Sequence, residues 1–383
     1  MYLSTTERER RYKQLRESMA REDIEVLLVV GNNHATGGPS WATGSFRYLT
    51  DFFIFSSYGV LLFFRDTNPI MLVPIELQDV RAKRYSWVND VRISFDYAET
   101  MVHLLQEKGL TQAKVGIVSM ESMPTKTYLS LREKLPKVEF LDAGFILLRQ
   151  RFIKGKEEMR LMEKAAQLND GAYKEVLKSI RPGIKEYEIV GILEGYHRRN
   201  GADRTFNLIS SGPFPSSKEG SPFLGVPWFP IDREIEKGDC VLLEITTVYG
   251  GYWNQLVRIV SVGSENSELA RFHKTAVMTI QAGLEKMRVG LITMDFVNPM
   301  TNAAEKHGFK LTTPMGHFVG LDLIEGRVDS ESQVVLAPGI SMVIHPCIAN
   351  SQGIRVILWG QTYFMTEGGP VKLNQTEDIL HTV

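Results

Sequence analysis

At 383 residues, 43% hydrophobic and 23% charged, the chain is long enough to bury a large core and to form about two domains. Its 44 Lys and Arg nearly balance 45 Asp and Glu, which excludes a global field drawing it onto nucleic acid or an anionic membrane and favours a small-molecule substrate, neutral or zwitterionic. No apolar run reaches membrane-span length, the charged start MYLSTTERERRYKQLRESMARED is no signal peptide, and Cys240 and Cys347 are too few for a disulfide framework, so a cytoplasmic protein is expected.

Residues 1–153 alternate strand and helix signals. EVLLVV, YGVLLFF, IMLVPI and KVGIV are short apolar runs rich in β-branched residues, which predicts buried strands, and residues 77–85, 99–109 and 125–135 carry a helical period. An α/β domain follows from that alternation. GNNHATGGPSWATG has neither a P-loop lysine nor a helix pattern behind it, so a loop is expected there rather than a phosphate cradle. RQRFIKGKEE closes the domain and leads into an amphipathic helix over 156–179, which opens a second domain covering 154–383.

That second domain carries a weak internal repeat. Arg181-Pro-Gly, a helix and Asn200-Gly correspond to Arg288-Val-Gly, a helix and His307-Gly, both pairs 107 residues apart, which predicts two halves related by a pseudo-two-fold axis. GDCVLLEITTVYGGYWNQLVRIVSVG reads as a β-hairpin turning at Tyr249-Gly250-Gly251-Tyr252. The Pro-, Gly- and aromatic-rich stretch 213–235, with Phe214, Phe223, Trp228 and Phe229, is expected to be a loop that walls a substrate.

With RYLTDF, LLRQRFIKGKEEMRLMEKAA, GHFVGLDLIE and MVIHP in these frames, nearly the whole chain resembles the pita-bread family of aminopeptidase P, prolidase, methionine aminopeptidase and creatinase. The resemblance implies an α/β N-terminal domain followed by an α+β pita-bread domain with an internal pseudo-two-fold repeat, and by analogy a homodimer. In the metallopeptidase members five residues hold two divalent ions. Carried over residue by residue, the first position is Glu244, the second Gln255, the third His317 and the fourth His345; the fifth falls on Gly360 or, in the GIR frame, on Ile357. One carboxylate stands where four are expected. Two unit charges about 4 Å apart repel by roughly 4 kcal/mol at an effective dielectric near 20, and two dications by about four times that, which one Glu and two neutral imidazoles do not offset. A two-metal mechanism is therefore not expected.

Creatinase has this fold without a metal, and ectoine hydrolase resembles it with a divergent site. On that likeness the main expectation is a metal-independent hydrolase, with no cofactor, acting on a non-peptide C–N bond in a small guanidino, amidine or cyclic solute. Glu244 would serve as nucleophile or general base, and His317 or His345 as proton donor to the leaving nitrogen. Arg355 would clamp a carboxylate, Asn254 and Gln255 would hold an amide or amidine, and Trp228 and Phe223 would wall the substrate. The competing structural reading of Glu244 is an ion pair with Arg258 or Arg355. Two alternatives stand beside the main one: a non-catalytic protein that binds a peptide or protein in the old cleft, and an Xaa-Pro aminopeptidase-like enzyme using one ion held by Glu244, His317 and His345.

Overall fold

The computed structural model describes residues 2–32, 44–214, 225–312, 314–351 and 356–383. They form two compact units, Met1–Phe152 and Ile153–Val383.

In the first unit the predicted apolar runs pair into one sheet. Its described strands are β1 (Val26–Asn32), β2 (Tyr58–Phe64), β3 (Ile70–Val73), β4 (Asp90–Ile93), β5 (Lys114–Val118) and β6 (Glu139–Asp142), in the order β4-β3-β2-β1-β5-β6. Strand β2 runs antiparallel to both neighbours, and the remaining pairs are parallel. The helices are α1 (Thr5–Arg21), α2 (Gly44–Thr50), α3 (Glu76–Tyr85), α4 (Tyr97–Glu107), α5 (Thr125–Lys134) and α6 (Gly144–Phe152). Val26, Leu28, Val30, Val60 and Leu62 are buried against Met101, Leu104 and Leu105 of α4 and Leu131 of α5, which is why these strands read as continuous apolar runs. Helices α1 and α4 start where Ser4 and Asp96 accept the amides of Glu7 and Glu99, satisfying donors that have no partner inside the helix.

The second unit pairs long helices with a large curved sheet. Helix α7 (Lys156–Leu177) packs on α8 (Glu186–Arg199), and α9 (Ser267–Leu284) on α10 (Thr293–Lys306). The strands are β7 (Arg204–Thr205), β8 (Leu208–Pro213), β9 (Asp239–Tyr249), β10 (Tyr252–Ser261), β11 (Phe309–Thr312), β12 (Gly316–Phe318), β13 (Gly326–Val328), β14 (Ser341–Ile344), β15 (Cys347–Asn350), β16 (Val356–Leu358), β17 (Gly360–Thr366), β18 (Gly369–Lys372) and β19 (His381–Thr382). The main sheet runs β13-β12-β14-β17-β10-β9-β7, with β8 on β9, β18 on β17 and β19 on β10, while β11-β15-β16 form a separate small sheet.

The β9–β10 hairpin organises the unit. Tyr249 pairs with Tyr252 across a two-residue turn in which Gly250 and Gly251 take φ 59° and 91°, the left-handed pair that a type I′ turn needs. Side chains alternate along each strand, so Val241, Leu243 and Ile245 of β9 and Leu256 and Val260 of β10 face helices α7 and α8 as one apolar cluster. Glu244, Thr246, Gln255 and Val257 therefore share the opposite, inner face, with Thr246 paired to Gln255 and Glu244 to Val257.

The internal repeat is structural. Gly183 and Gly290 both take φ 89°, and the turns that hold them add matching strand-like bonds, Ile235 N–H to Ile184 O at 2.8 Å and Leu336 N–H to Leu291 O at 2.7 Å. Each second helix then begins alike, with the N–H of Lys185 donated to Glu188 Oε2 and that of Ile292 to Asp295 Oδ2, both at 2.9 Å. Gly201 and Gly308 close these helices at φ 91° and 78°.

Candidate functional site

Strands β9, β10 and β12 bring Glu244, Gln255 and His317 together. Gln255 Nε2 donates to Glu244 Oε1 at 2.6 Å, and its Oε1 lies 3.0 Å from His317 Nε2, while His317 Nδ1 lies 3.4 Å from the Phe318 carbonyl oxygen. The amide thus joins the carboxyl to the imidazole. His345, just beyond β14, sets its ring 5.2 Å from that of His317. The loop after His317 is pinned by Glu325, which accepts the N–H of Leu321 at 3.2 Å and the Lys154 ammonium at 2.7 Å.

Burial decides the electrostatics. It raises the Glu244 carboxyl to about 7, against the opposing pull of the Gln255 hydrogen bond. Burial likewise lowers His317 to about 3, helped by the neighbouring His345, and lowers His345 to about 4. Both imidazoles are neutral near pH 7. The expected ion pair of Glu244 with Arg258 is not formed, because Arg258 lies on the other face of β10 and pairs with Asp378 at 3.1 Å.

Other expected site residues separate along the pleat. Asn254 adjoins Gln255 in sequence but points to the helix side, where its carboxamide meets Asn169 at 2.8 Å and Asn374 at 3.2 Å. It is fully buried and structural, so its expected role in holding substrate is corrected. Trp228 is 69% exposed, joined to Ile209 through backbone bonds of 2.9 and 2.8 Å. Phe223 and Arg355 lie outside the described residues.

The donor set does not fit the metal pair that the fold family implies. Gly360 sits on the inner face opposite Val257, and a β-carbon there would fall 1.9 Å from the Ile344 carbonyl oxygen, so the backbone occupies the space of a fifth ligand. Ile357 is buried in the small sheet opposite Ile348 and cannot serve instead. Glu244 and His317 spend their facing atoms on Gln255. Among the described residues no three His, Cys, Asp or Glu side chains are placed to hold an ion.

Residues 160–367 match Metallopeptidase family M24, and residues 11–153 match the Creatinase/Prolidase N-terminal domain. The chain belongs to family M24. An uncharacterized peptidase, YqhT, of Bacillus subtilis is 27% identical over 71% of this chain and 78% of its own length. An Xaa-Pro dipeptidase of Pyrococcus horikoshii is 26% identical over 70% of this chain and 76% of its own. Among solved structures, the Xaa-Pro dipeptidase from Bacillus anthracis aligns with a TM-score of 0.82 at 20% identity, covering 98% of this chain and 100% of that one. The prolidase of Pyrococcus horikoshii aligns at 0.78 and 24% identity, covering 96% and 99%. The two-domain pita-bread architecture is thereby shown.

These relatives overturn the main functional expectation. A metallopeptidase family whose named relatives are Xaa-Pro dipeptidases leaves no ground for a metal-independent hydrolase of guanidino, amidine or cyclic solutes. These relatives are named dipeptidases and prolidase, which overturns the small solute expected as the partner, and none of these matches shows the expected homodimer. No helix among the described residues is long and apolar enough to cross a membrane.

Proposed function

We propose that this member of family M24 binds short peptides of the Xaa-Pro class in its pita-bread cleft without two-metal hydrolysis. One observation carries the reading: the three positions that would hold ions, Glu244, Gln255 and His317, are hydrogen-bonded to one another inside a fold shared with dipeptidases. A protonated Glu244 and the Gln255 amide offer a peptide backbone both a donor and an acceptor in a water-poor site, and polar groups so placed favour peptide over solvent. The cytoplasmic location is part of this reading and is supported by the free cysteines Cys240 and Cys347.

The test is calorimetric titration with Ala-Pro, in EDTA and again with added Mn²⁺, while free proline is assayed. Saturable binding in both buffers with no proline released is the expected result. The relatives' names favour one competing reading, hydrolysis of the same dipeptide, and proline release above the buffer rate establishes it in place of simple binding.

A further inference from the structure

The first unit holds a cavity of about 720 Å³, lined by one face of α1 and by the chain that enters β3 and β4. Arg8, Tyr12 and Arg16 recur every fourth residue and so share that helix face, with Lys13 on the adjoining row. Pro69 and Trp87 line it from the strand side. A cavity of this size suits a small organic molecule rather than a bare ion.

Two of these side chains have donors that the fold leaves unused. Trp87 is only 4% exposed, yet its indole N–H has no acceptor among the described residues. Its backbone N–H is donated to the Thr50 carbonyl at 2.9 Å, and the Arg11 guanidinium lies 5.4 Å from its ring, so the residue is held in place. A buried donor left unpaired costs stability that most folds avoid, and an acceptor supplied from the cavity removes that cost. Arg16 repeats the pattern: its Nη2 is donated to the Thr67 carbonyl at 3.0 Å, while its Nε has no partner among the described residues. The Arg16 guanidinium is steadied over aromatic faces, 5.5 Å from the Phe63 ring centroid and 6.0 Å from that of Tyr12.

Charge selects the ligand. Glu9, Glu17 and Asp90 also line the cavity, but Asp90 gives both oxygens to Arg92, at 2.9 and 2.8 Å. The Glu9 side chain is 70% exposed and only 3.5 Å from Arg8, a pair that water screens. Glu17 is left to offset Lys13 and Arg16, so the lining keeps an excess of positive charge. An acceptor that also balances this excess is an oxyanion, which the planar fork of arginine matches. Tyr12 spends its hydroxyl on the Leu49 carbonyl at 2.8 Å, so with Pro69 it presents apolar surface to the rest of a ligand.

We propose that Arg8, Lys13, Arg16 and the Trp87 indole N–H form a binding site for a small organic oxyanion, a carboxylate or phosphate ester joined to an apolar body. The oxyanion accepts from Trp87 Nε1 and Arg16, Arg8 and Lys13 supply further charge, and the apolar body lies against Tyr12 and Pro69. The site lies wholly within the first unit and does not rest on the peptide reading.

Benzoate and phenyl phosphate, with neutral benzamide as the control, are titrated against the full chain and against Trp87→Phe and Arg16→Gln, with affinity read by ligand-observed NMR and folding by thermal melt. Each substitution removes one hydrogen bond to a charged group, so affinity for the anions is expected to fall about tenfold or more. In the unaltered chain carrying ¹⁵N-labelled tryptophan, the indole signal that Trp87→Phe deletes should move downfield as either anion binds and stay in place with benzamide. A response to one anion alone upholds the site and names its chemistry. Benzamide binding as tightly as the anions, anion binding that ignores Arg16→Gln, or a Trp87 signal unmoved at saturation overturns it, as does the failure of both anions to bind at millimolar concentration. Arg16 is partly exposed, so Arg16→Gln keeps the fold and decides the matter by itself if Trp87→Phe does not fold.

Discussion

The two faces of the β9–β10 hairpin carry buried polar groups and bond them to different partners. On the helix side Arg258 donates to the carbonyls of Val257 and Gly360 at 2.9 Å each and to Gln361 and Asp378, with its guanidinium 4.5 Å over the ring of Trp359. Beside it Asp170 accepts from Thr376 Oγ1 at 2.6 Å and from the N–H of Gln375 at 2.7 Å. On the inner side the Thr246 hydroxyl and His345 Nδ1 have no partner among the described residues, and on the helix side Arg258 Nε, Asn169 Oδ1 and the Tyr173 hydroxyl have none either. The helix face spends most of its polar groups on holding the C-terminal segment to the sheet, whereas the inner face bonds Glu244, Gln255 and His317 to one another. Satisfied buried networks specify structure, and the partners chosen, the C-terminal segment on one face and neighbouring inner-face side chains on the other, decide what each face holds in place.

The contrast is easiest to break on the helix side, where the largest effect is expected. Arg258→Met strands two carbonyls and the Gln361 side chain, so unfolding free energy in a denaturant titration should fall by about 3 kcal/mol or more. A loss near zero would mean that the helix-side network does no more to hold the fold than the inner face does.

Acid comes next, through the histidines. His317 and His345 are lowered to about 3 and about 4, so the unfolded chain binds their protons first as pH falls below about 6.5. Stability contributed by their neutral forms is complete above that pH and is lost as pH drops through the window toward 4. His317→Asn should flatten the slope of unfolding free energy against pH there by about one proton. An unchanged slope would show that His317 is open to water in the folded chain.

Glu244 has the opposite sign and a smaller effect. Raised to about 7, its carboxyl holds a proton in the folded chain that the unfolded chain gives up near its ordinary value, so its contribution is complete at acid pH and is lost as pH rises from 4.5 through 7. Wild type minus Glu244→Gln should therefore decline across that range by about 2 kcal/mol, allowing for partial exposure of the group. A difference that stays level would mean an ionised carboxylate and a hydrated inner face.

How far the sequence reveals this depends on the kind of signal. The runs EVLLVV and YGVLLFF are legible because a strand covered on its paired faces must be apolar throughout, and the 107-residue repeat because its glycines need left-handed backbone at matching turns. Asn254 and Gln255 show the limit: alternation places neighbours on opposite faces, but only the burial of Leu256 and Val260 against the helices tells which face is the cleft. Trp87 and Arg16 carry no signal in the sequence, because what singles them out, an unpaired N–H and a shared cavity, exists only in the folded chain.

The smallest expected effect is the sharpest check on the inner face. An ion that binds only the folded chain raises its stability by an amount that grows with the ratio of ion concentration to dissociation constant, about 2.7 kcal/mol at a hundredfold excess over that constant. A site built to hold two dications would show a large rise in melting temperature when Mn²⁺, Co²⁺ or Zn²⁺ is added to chelator-treated protein. Here the carboxyl oxygen and the ring nitrogen that would reach an ion are already bonded to Gln255, and the place of the fifth ligand is taken by the backbone at Gly360. Added ions should therefore shift the melting temperature by less than about 1 °C at millimolar concentration, since a large shift requires binding that this donor set does not provide. Gln255→Asp should change that only slightly, because it restores one carboxylate and leaves the Gly360 position filled. A shift of several degrees in the unaltered protein would mean that Gln255 swings aside to admit an ion, and the inner face would then have to be read as a metal site in reserve.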